Sequence, residues 1–404
     1  MPMRRVLIVV HDMKIGGVQK SLLSFLQCLA ESEYADRYKL DLLIQDPKGE
    51  LLSEIPPFVN IILPSKPLRW LGASMSLKLL GRYFSWRGIL GKLIWIAAKK
   101  CRLLPQNLNV SQKLWKIWKW LIPYQKGDYD VAVSYQDGCS NYYVMDKVTA
   151  RKKVLWIHSE YQKQGYDREF DQPFFKRADG ILTISEDCRK CLLKEFPGFS
   201  SRVHVVENIT VPGTVLKKGE AVTLDGFRDD GQIRILSVGR LHQQKGFDIA
   251  IEAAALLRDA GKQFQWIVIG EGSEHTSLQA QIDALGLKDK FVLLGAKENP
   301  YPYMKACDLF VQPSRVEGKS IVLDEIKLFG KPIVATNYAT VAASVTHGKD
   351  GWIVDMCPES LCKGIVYLME NPQIQKDFCA FQRDNASGNI AELEKYVHLM
   401  LSEE

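Results

Sequence analysis

Two carboxylates, Glu317 and Glu325, lie just after an apolar run, in Asp308-Leu-Phe-Val-Gln-Pro-Ser314 followed by Glu317-Gly-Lys-Ser-Ile-Val-Leu-Asp-Glu325. A basic loop lies upstream, Ser237-Val-Gly-Arg240-Leu-His-Gln-Gln-Lys245-Gly-Phe247. A carboxylate accepts two hydrogen bonds in a fixed fork, which suits the hydroxyl pairs of a sugar or a ribose. Fixed cations suit a diphosphate. Breaking the bond between a sugar and a diphosphate raises the charge on the leaving phosphate, and that charge must be neutralised where it develops. Charge-assisted hydrogen bonds from Arg240 and Lys245 would contribute roughly 1.5–3 kcal/mol each. Helix N-termini expected at Gly246 and Ser320 would add about 0.3–1 kcal/mol. The spacing puts Glu317 beside a helix mouth, near a sugar, and Glu325 about a turn and a half along that helix, near a ribose. These residue types in this order are what a nucleotide-sugar site needs.

The surrounding pattern can position them. Ile233–Val238 reads as a strand, Gly246–Gly261 as a helix and Phe264–Ile269 as a strand. Phe291–Leu294, Leu309–Gln312 and Pro332–Thr336 continue the sheet, and Ser320–Phe329 reads as the helix after one of its strands. The first half alternates in the same way. Val6–Val10, Lys39–Ile44, Val59–Leu63, Asp130–Ser134, Val154–His158 and Gly180–Ser185 are short apolar runs, with helical spacing between them, as over Val18–Leu29. Such alternation predicts an α/β protein with two doubly wound, Rossmann-like parallel sheets. Two domains of this kind facing across a cleft would bind ligand at the carboxyl ends of their strands. The expected divisions are an N-terminal domain at 1–210, a Gly- and Pro-containing linker at 211–231, a C-terminal domain at 232–385, and a terminal helix at 386–404 that packs back on the first domain.

A chain of 404 residues is too long for one ordinary core, and 46% hydrophobic with 25% charged residues is a globular composition. Cys188 and Cys191 form a lone C-x-x-C with no second pair or His cluster, so they read as two thiols on one helix and no metal site is expected. Nothing argues for disulfides, and a reducing cytosol fits best. The apolar run after Met1-Pro-Met-Arg-Arg5 is too short for a secretory core and ends at His11-Asp12, so it reads as a buried first strand. No run approaches the roughly 18–20 apolar residues of a transmembrane helix.

The net charge of +6 hides a strong asymmetry. From Ile55 to Gly127 there is no Asp or Glu, against 13 Lys or Arg, and six of the nine tryptophans fall there. A basic, Trp-rich insertion is therefore expected at about 64–127. With Lys113–Ile122 as a helix at about 100° per residue, Lys113, Lys116 and Lys119 share one arc. Leu114, Trp115, Trp118, Leu121 and Ile122 share the opposite one, and Trp120 lands among the lysines. That pattern suits an anionic membrane surface, with Trp86, Trp95, Lys113, Trp115, Lys116, Trp118 and Lys119 as the expected contacts. About five well-placed cations would supply roughly 5 kcal/mol of attraction to anionic lipid. The same pattern also fits helices packed on the sheet with their lysines in water. A nucleic acid partner, which Trp and Lys could stack on and attract, does not fit the sugar-nucleotide site.

Ser237–Phe247 with Glu317–Glu325, followed by Gly330-Lys-Pro-Ile-Val-Ala-Thr336 and Gly348–Asp355, resembles the retaining glycosyltransferases of family 4, which have the GT-B fold. The match covers most of the second domain. The resemblance implies that Arg240 and Lys245 bind the donor diphosphate, Glu317 the donor sugar and Glu325 the ribose. It implies donor contacts from the Gly270-Glu-Gly272 turn, from the backbone around Gly295, and from Gly318, Lys319, Ser320 and Ile321. Where many members carry Phe-Gly after the Glu-Gly, this chain has Lys319-Ser320, which adds a cation. Gly16-Gly17, a pair that lets backbone approach a ligand closely, corresponds to a family loop over the donor phosphates. His158, in Trp156-Ile-His158-Ser-Glu160, stands where the family often carries an active-site His able to hydrogen-bond the donor sugar. Asp137 beside it, and His158 itself, are candidate acceptor contacts.

The expected protein is thus a metal-independent retaining transferase without a cofactor. It would move a hexose or N-acetylhexosamine from a UDP-sugar to a lipid-linked saccharide, at the inner face of the cell membrane, in capsule, O-antigen or exopolysaccharide assembly. A sugar-nucleotide epimerase or phosphorylase of the same fold remains open, as does a non-catalytic membrane-docked subunit of a synthase.

Overall fold

The structure is a computed structural model that describes residues 3–72, 84–221, 226–228, 230–386 and 388–401. It divides into two units, Met1–Ile209 with Ile390–Glu404, and Thr210–Asn389.

The first unit holds seven strands: β1 Arg4–Val10, β2 Tyr38–Ile44, β3 Asn60–Ile62, β4 Asp128–Ser134, β5 Thr149–Ile157, β6 Gly180–Thr183 and β7 Val203–Val205. They form one parallel sheet in the order β3-β2-β1-β4-β5-β6-β7. Val6 sits opposite Leu40 on one side and Val131 on the other. Residues Val6–Val10 are all fully buried, as expected of a strand with both faces covered by helices. The second unit holds β8 Ile233–Val238, β9 Phe264–Ile269, β10 Phe291–Leu293, β11 Leu309–Gln312, β12 Ile333–Thr336 and β13 Trp352–Val354. Its parallel order is β10-β9-β8-β11-β12-β13. The expected α/β class with two parallel sheets is therefore what the chain adopts. Each sheet reverses its winding once, between β1 and β4 and between β8 and β11, and such reversals open a crevice at the strands' carboxyl ends. The stretch expected as a linker contains a helix, Pro212–Lys218.

The tryptophan-rich insertion departs from expectation. Its described helices are Lys66–Gly72, Trp86–Lys100 and Val110–Trp118. Trp115 and Trp118, expected at a membrane, are fully buried in the core of the first unit with Trp70, Tyr142 and Tyr143. The Trp115 indole N–H donates to Asp146 at 2.9 Å. Asn109 and Gln112 close a reciprocal capping box at the start of the Val110–Trp118 helix. Gln112 then donates to the buried Asp171 at 2.9 Å, which also accepts from Tyr142 and Tyr161 at 2.7 Å each. The helix ends at Trp118, four residues before the expected Ile122. Its apolar arc is the packed face, because the sheet offers a dry partner for the same stripe that a lipid could cover. Lys116 is exposed and Lys113 and Lys119 are half-buried, while Trp120, expected among the lysines, is 79% exposed.

The segment after Ile390 returns to the first unit as a short helix, Glu392–Lys395, and a wide turn, Tyr396–Leu401. Tyr396 is fully buried, stacks on Phe25 at 4.8 Å and lies 3.3 Å from the Tyr135 hydroxyl.

Candidate functional site

In the second unit the loops after β8, β9, β10 and β11 converge at the winding reversal. The first three are laced by backbone hydrogen bonds: Gly239 N–H to Ile269 O at 3.0 Å, Leu241 N–H to Glu271 O at 2.9 Å, and Gly270 N–H to Gly295 O at 3.0 Å. Gly270 and Gly272 permit this approach. A Cβ at Gly270 would stand 1.8 Å from the Gly239 carbonyl oxygen, and one at Gly272 would stand 2.2 Å from that of Leu241. Gly246 has φ +66° and no room for a Cβ, which would lie 2.0 Å from the Pro313 carbonyl oxygen. That contact sets the end of the basic loop against the exit of β11.

Lys245 thereby meets Glu317. Its ammonium lies 2.6 Å from Glu317 Oε1, with both side chains largely shielded from water. Gln312 Nε2 and the Ser314 hydroxyl donate to the same oxygen, each at 2.6 Å. The Glu317 carbonyl accepts from Thr340 at 2.9 Å. Three donors on one oxygen hold the carboxylate rigidly, and among the described residues no hydrogen bond is made to Oε2. Arg240 is exposed and makes no ion pair among the described residues. Neither Gly246 nor Ser320 contributes a side-chain cap to the helix that follows, Phe247–Asp259 and Ile321–Leu328 respectively. Both helix starts thus keep backbone N–H groups of the kind that bind phosphate.

Glu325 lies on the Ile321–Leu328 helix, buried, and accepts from the Tyr301 hydroxyl at 2.7 Å. Lys319, the added cation, is largely buried and lies 3.9 Å from Asp324. Gly318, Ser320 and Ile321 complete the turn into that helix, and Gly295, with φ +76°, is the turn after β10. One feature of this loop is invisible in the sequence. Arg315 grips Asp248 with both terminal nitrogens, at 2.6 and 2.5 Å, and donates to the Gln243 carbonyl at 3.0 Å. Burial acts to raise the Asp248 carboxyl, but the Arg315 hydrogen bonds and charge outweigh it and hold the pKa below the usual value. The clasp ties the Glu317 loop to the Lys245 loop. Gln312, Ser314, Tyr301 and Arg315 were not singled out from the sequence, because only tertiary structure brings them to the glutamates.

In the first unit the candidates gather at the ends of β1, β4 and β5. Gly16 has an extended φ of −170°, open to any residue, and Gly17 begins the helix Gly17–Ala30. His158 follows β5, stacks on Trp156 at 5.2 Å and bonds through Nε2 to the Tyr135 carbonyl at 3.0 Å. The carbonyl can only accept, so Nε2 carries the proton and Nδ1 is the acceptor. Burial pushes the His158 pKa from 6.5 down to about 3, against a smaller opposing effect of the Tyr135 bond. Asp137 accepts from the Ser159 hydroxyl at 3.2 Å, and burial raises its pKa.

A neutral His158 has a thermodynamic consequence. The unfolded state binds a proton below about pH 6.5 that the folded state refuses until about pH 3. Its contribution to stability is therefore full above pH 6.5 and is lost as pH falls towards 3, by at most about 1.4 kcal/mol per pH unit. Urea unfolding at pH 7 and pH 5 should show a smaller acid loss in His158→Gln than in the parent. An equal loss in both proteins would mean that His158 titrates normally.

Residues 225–384 match the family of glycosyl transferases group 1. Over the whole chain the fold is that of the GT-B glycosyltransferases: HepE of Anabaena, solved with UDP, superposes with a TM-score of 0.64 at 18% identity, over 100% of both chains. WaaG, a glycosyltransferase involved in lipopolysaccharide biosynthesis, gives a TM-score of 0.60 at 16% identity, over 98% of this chain and 99% of the other. Among curated relatives, the 4-alpha-N-acetylgalactosaminyltransferase of Campylobacter jejuni that acts on N-acetylgalactosamine-N,N'-diacetylbacillosaminyl-diphospho-undecaprenol is 34% identical over 209 residues, 50% of this chain and 54% of that one. The first curated relatives are matched over only 32–62% of their own lengths.

Proposed function

We propose that the protein is a retaining glycosyltransferase that moves a hexose or N-acetylhexosamine from a UDP-sugar to a lipid-linked saccharide during assembly of a cell-surface polysaccharide. The observation that carries this reading is the Lys245–Glu317 pair between two helix starts without side-chain caps, at the winding reversal of the second sheet. As the bond from the anomeric carbon to the phosphate oxygen breaks, Arg240, Lys245 and the helix amides neutralise the growing charge on the diphosphate. The acceptor hydroxyl attacks the anomeric carbon from the same face and gives its proton to the leaving phosphate oxygen. Glu317 Oε2 holds a sugar hydroxyl, and Glu325 with Tyr301 serves the ribose. Neutral His158 contributes a hydrogen-bond acceptor, and Asp137 belongs to the acceptor side. Arg240 and Lys245 supply the charge a divalent ion would otherwise supply, so the proposed reaction needs no metal or cofactor. A lipid-linked acceptor is supported by the name of the Campylobacter jejuni relative, and surface-polymer assembly by a 33% identical relative in amylovoran biosynthesis from Erwinia amylovora. The proposed location is the cytoplasmic face of the membrane.

The test is incubation with UDP-sugars and a polyprenyl-diphosphate-linked saccharide in excess EDTA. Transfer with retained anomeric configuration is expected, along with thermal stabilisation by UDP, since a ligand at a hundred times its Kd adds about 2.7 kcal/mol. Conversion of the donor sugar without acceptor would replace this reading by an epimerase. Transfer that stops in EDTA would overturn its metal independence.

A further inference from the structure

The Trp86–Lys100 helix is built inside out. Gly88 and Gly91 are buried, where a Cβ would stand 2.4 Å from the Trp70 ring and 2.8 Å from the Trp118 ring, and Ala98 is buried on the same side. The small residues thus face the protein. On the other side Trp86, Leu90, Leu93, Ile94 and Ile96 are 39–62% exposed. At 100° per residue these five span about 160° of the helix circumference. A surface helix of a water-soluble fold normally turns its apolar stripe inward and its polar face to solvent. Here the large apolar face is turned out.

We propose that this face lies in the interfacial layer of an anionic lipid bilayer, parallel to its plane. The charges select that occupant. Exposed Arg87 borders the face, exposed Lys99 and Lys100 lie at its carboxyl-terminal end, and no Asp or Glu occurs between residues 55 and 127. The same cations disfavour a second copy of the chain, because a symmetric dimer across this face would bring like charges together. The helix has 15 residues and is about 22 Å long. That is short of the ~20 apolar residues needed to span a bilayer, and among the described residues no helix is long and apolar enough to cross a membrane. A helix with an apolar face and basic borders binds in the headgroup region, with apolar burial and cation attraction adding. The docking element is therefore this helix. The buried Trp70 and Trp118, against Gly88 and Gly91, hold it to the rest of the first unit. The proposal deepens the lipid-linked-acceptor reading, on which its purpose rests, but its geometry does not depend on that reading.

The test is co-sedimentation of the full chain with vesicles of phosphatidylglycerol mixed with phosphatidylcholine, and with phosphatidylcholine alone. The parent should sediment with the anionic vesicles and far less with the neutral ones. The triple variant Leu93→Gln, Ile94→Gln, Ile96→Gln should lower the partition coefficient at least about tenfold, equivalent to about 1.4 kcal/mol. Lys99→Glu with Lys100→Glu should weaken binding to the anionic vesicles alone. Thermal stabilisation by UDP, measured on every variant, reports separately on folding and on the donor site, so loss of donor binding and loss of lipid binding are distinguishable. Unchanged sedimentation of the triple variant overturns the proposal. So does a parent that is dimeric in sedimentation equilibrium and becomes monomeric in the triple variant.

Discussion

Lys245→Ala is expected to lower kcat/KM for sugar transfer by about 10²–10³-fold, the loss typical of removing one preorganised charge-stabilising donor. The effect is large because Lys245 has two tasks. In the proposed reaction it neutralises the leaving diphosphate, and in the structure it is the cationic partner of Glu317 Oε1 at 2.6 Å. Without it, Gln312 and Ser314 still hold that oxygen. Glu317 is therefore expected to keep its place while the leaving group loses one of its two proposed cations, Arg240 remaining. The fall should appear mainly in kcat with UDP-sugar as donor, since the interaction strengthens as charge develops. Initial rates across donor concentrations decide it. A loss confined to KM would make Lys245 a ground-state anchor only.

Trp118→Ala costs about 3–5 kcal/mol of folding stability, the range for deleting a large buried aromatic side chain. Trp120→Ala, two residues further on and largely exposed, is expected to stay within about 0.5 kcal/mol. Urea unfolding of the two variants measures the contrast. Trp118 fills the space against Gly91 of the apolar helix and belongs to the core with Trp70 and Trp115. If Trp118 faced lipid instead, its loss in water would be as mild as that of Trp120, and that outcome would restore the Val110–Trp118 helix as the membrane face.

Much of the fold was legible because parallel strands buried on both faces announce themselves as short apolar runs. The boundaries of β8, β9 and β11 coincide with those expected. The three-residue strands β7 and β13 did not stand out, whereas β3 and β10, equally short, were expected within the longer runs Val59–Leu63 and Phe291–Leu294. Periodicity gave the two faces of Lys113–Trp118 correctly but assigned the apolar one to the wrong medium. A stripe of Leu and Trp is equally satisfied by lipid or by a sheet, and only the tertiary partner decides. The same limit hid the reversal in the Trp86–Lys100 helix, where Trp86 points out and Trp95, half a turn round, is half-buried. At the candidate site the residue types of Arg240, Lys245, Glu317 and Glu325 were readable from their place after apolar strands. The Lys245–Glu317 pair and the Arg315–Asp248 clasp were not. Each joins residues about seventy positions apart, and either charge alone is indistinguishable from a solvated one.

The return of residues 390–401 to the first unit orders events on the ribosome. Tyr396, Met400 and Leu401 are fully buried there, Tyr396 against Phe25, Trp156 and Tyr135. The first unit is translated first, yet it lacks part of its own core until the second unit has emerged entire. Domains generally fold as units in the order in which they are synthesised, at about 5–20 residues per second. In this chain the later domain can finish before the earlier one. The nascent first unit must wait for some 180 further residues, the length of Thr210–Asn389, with the socket for Tyr396 still open.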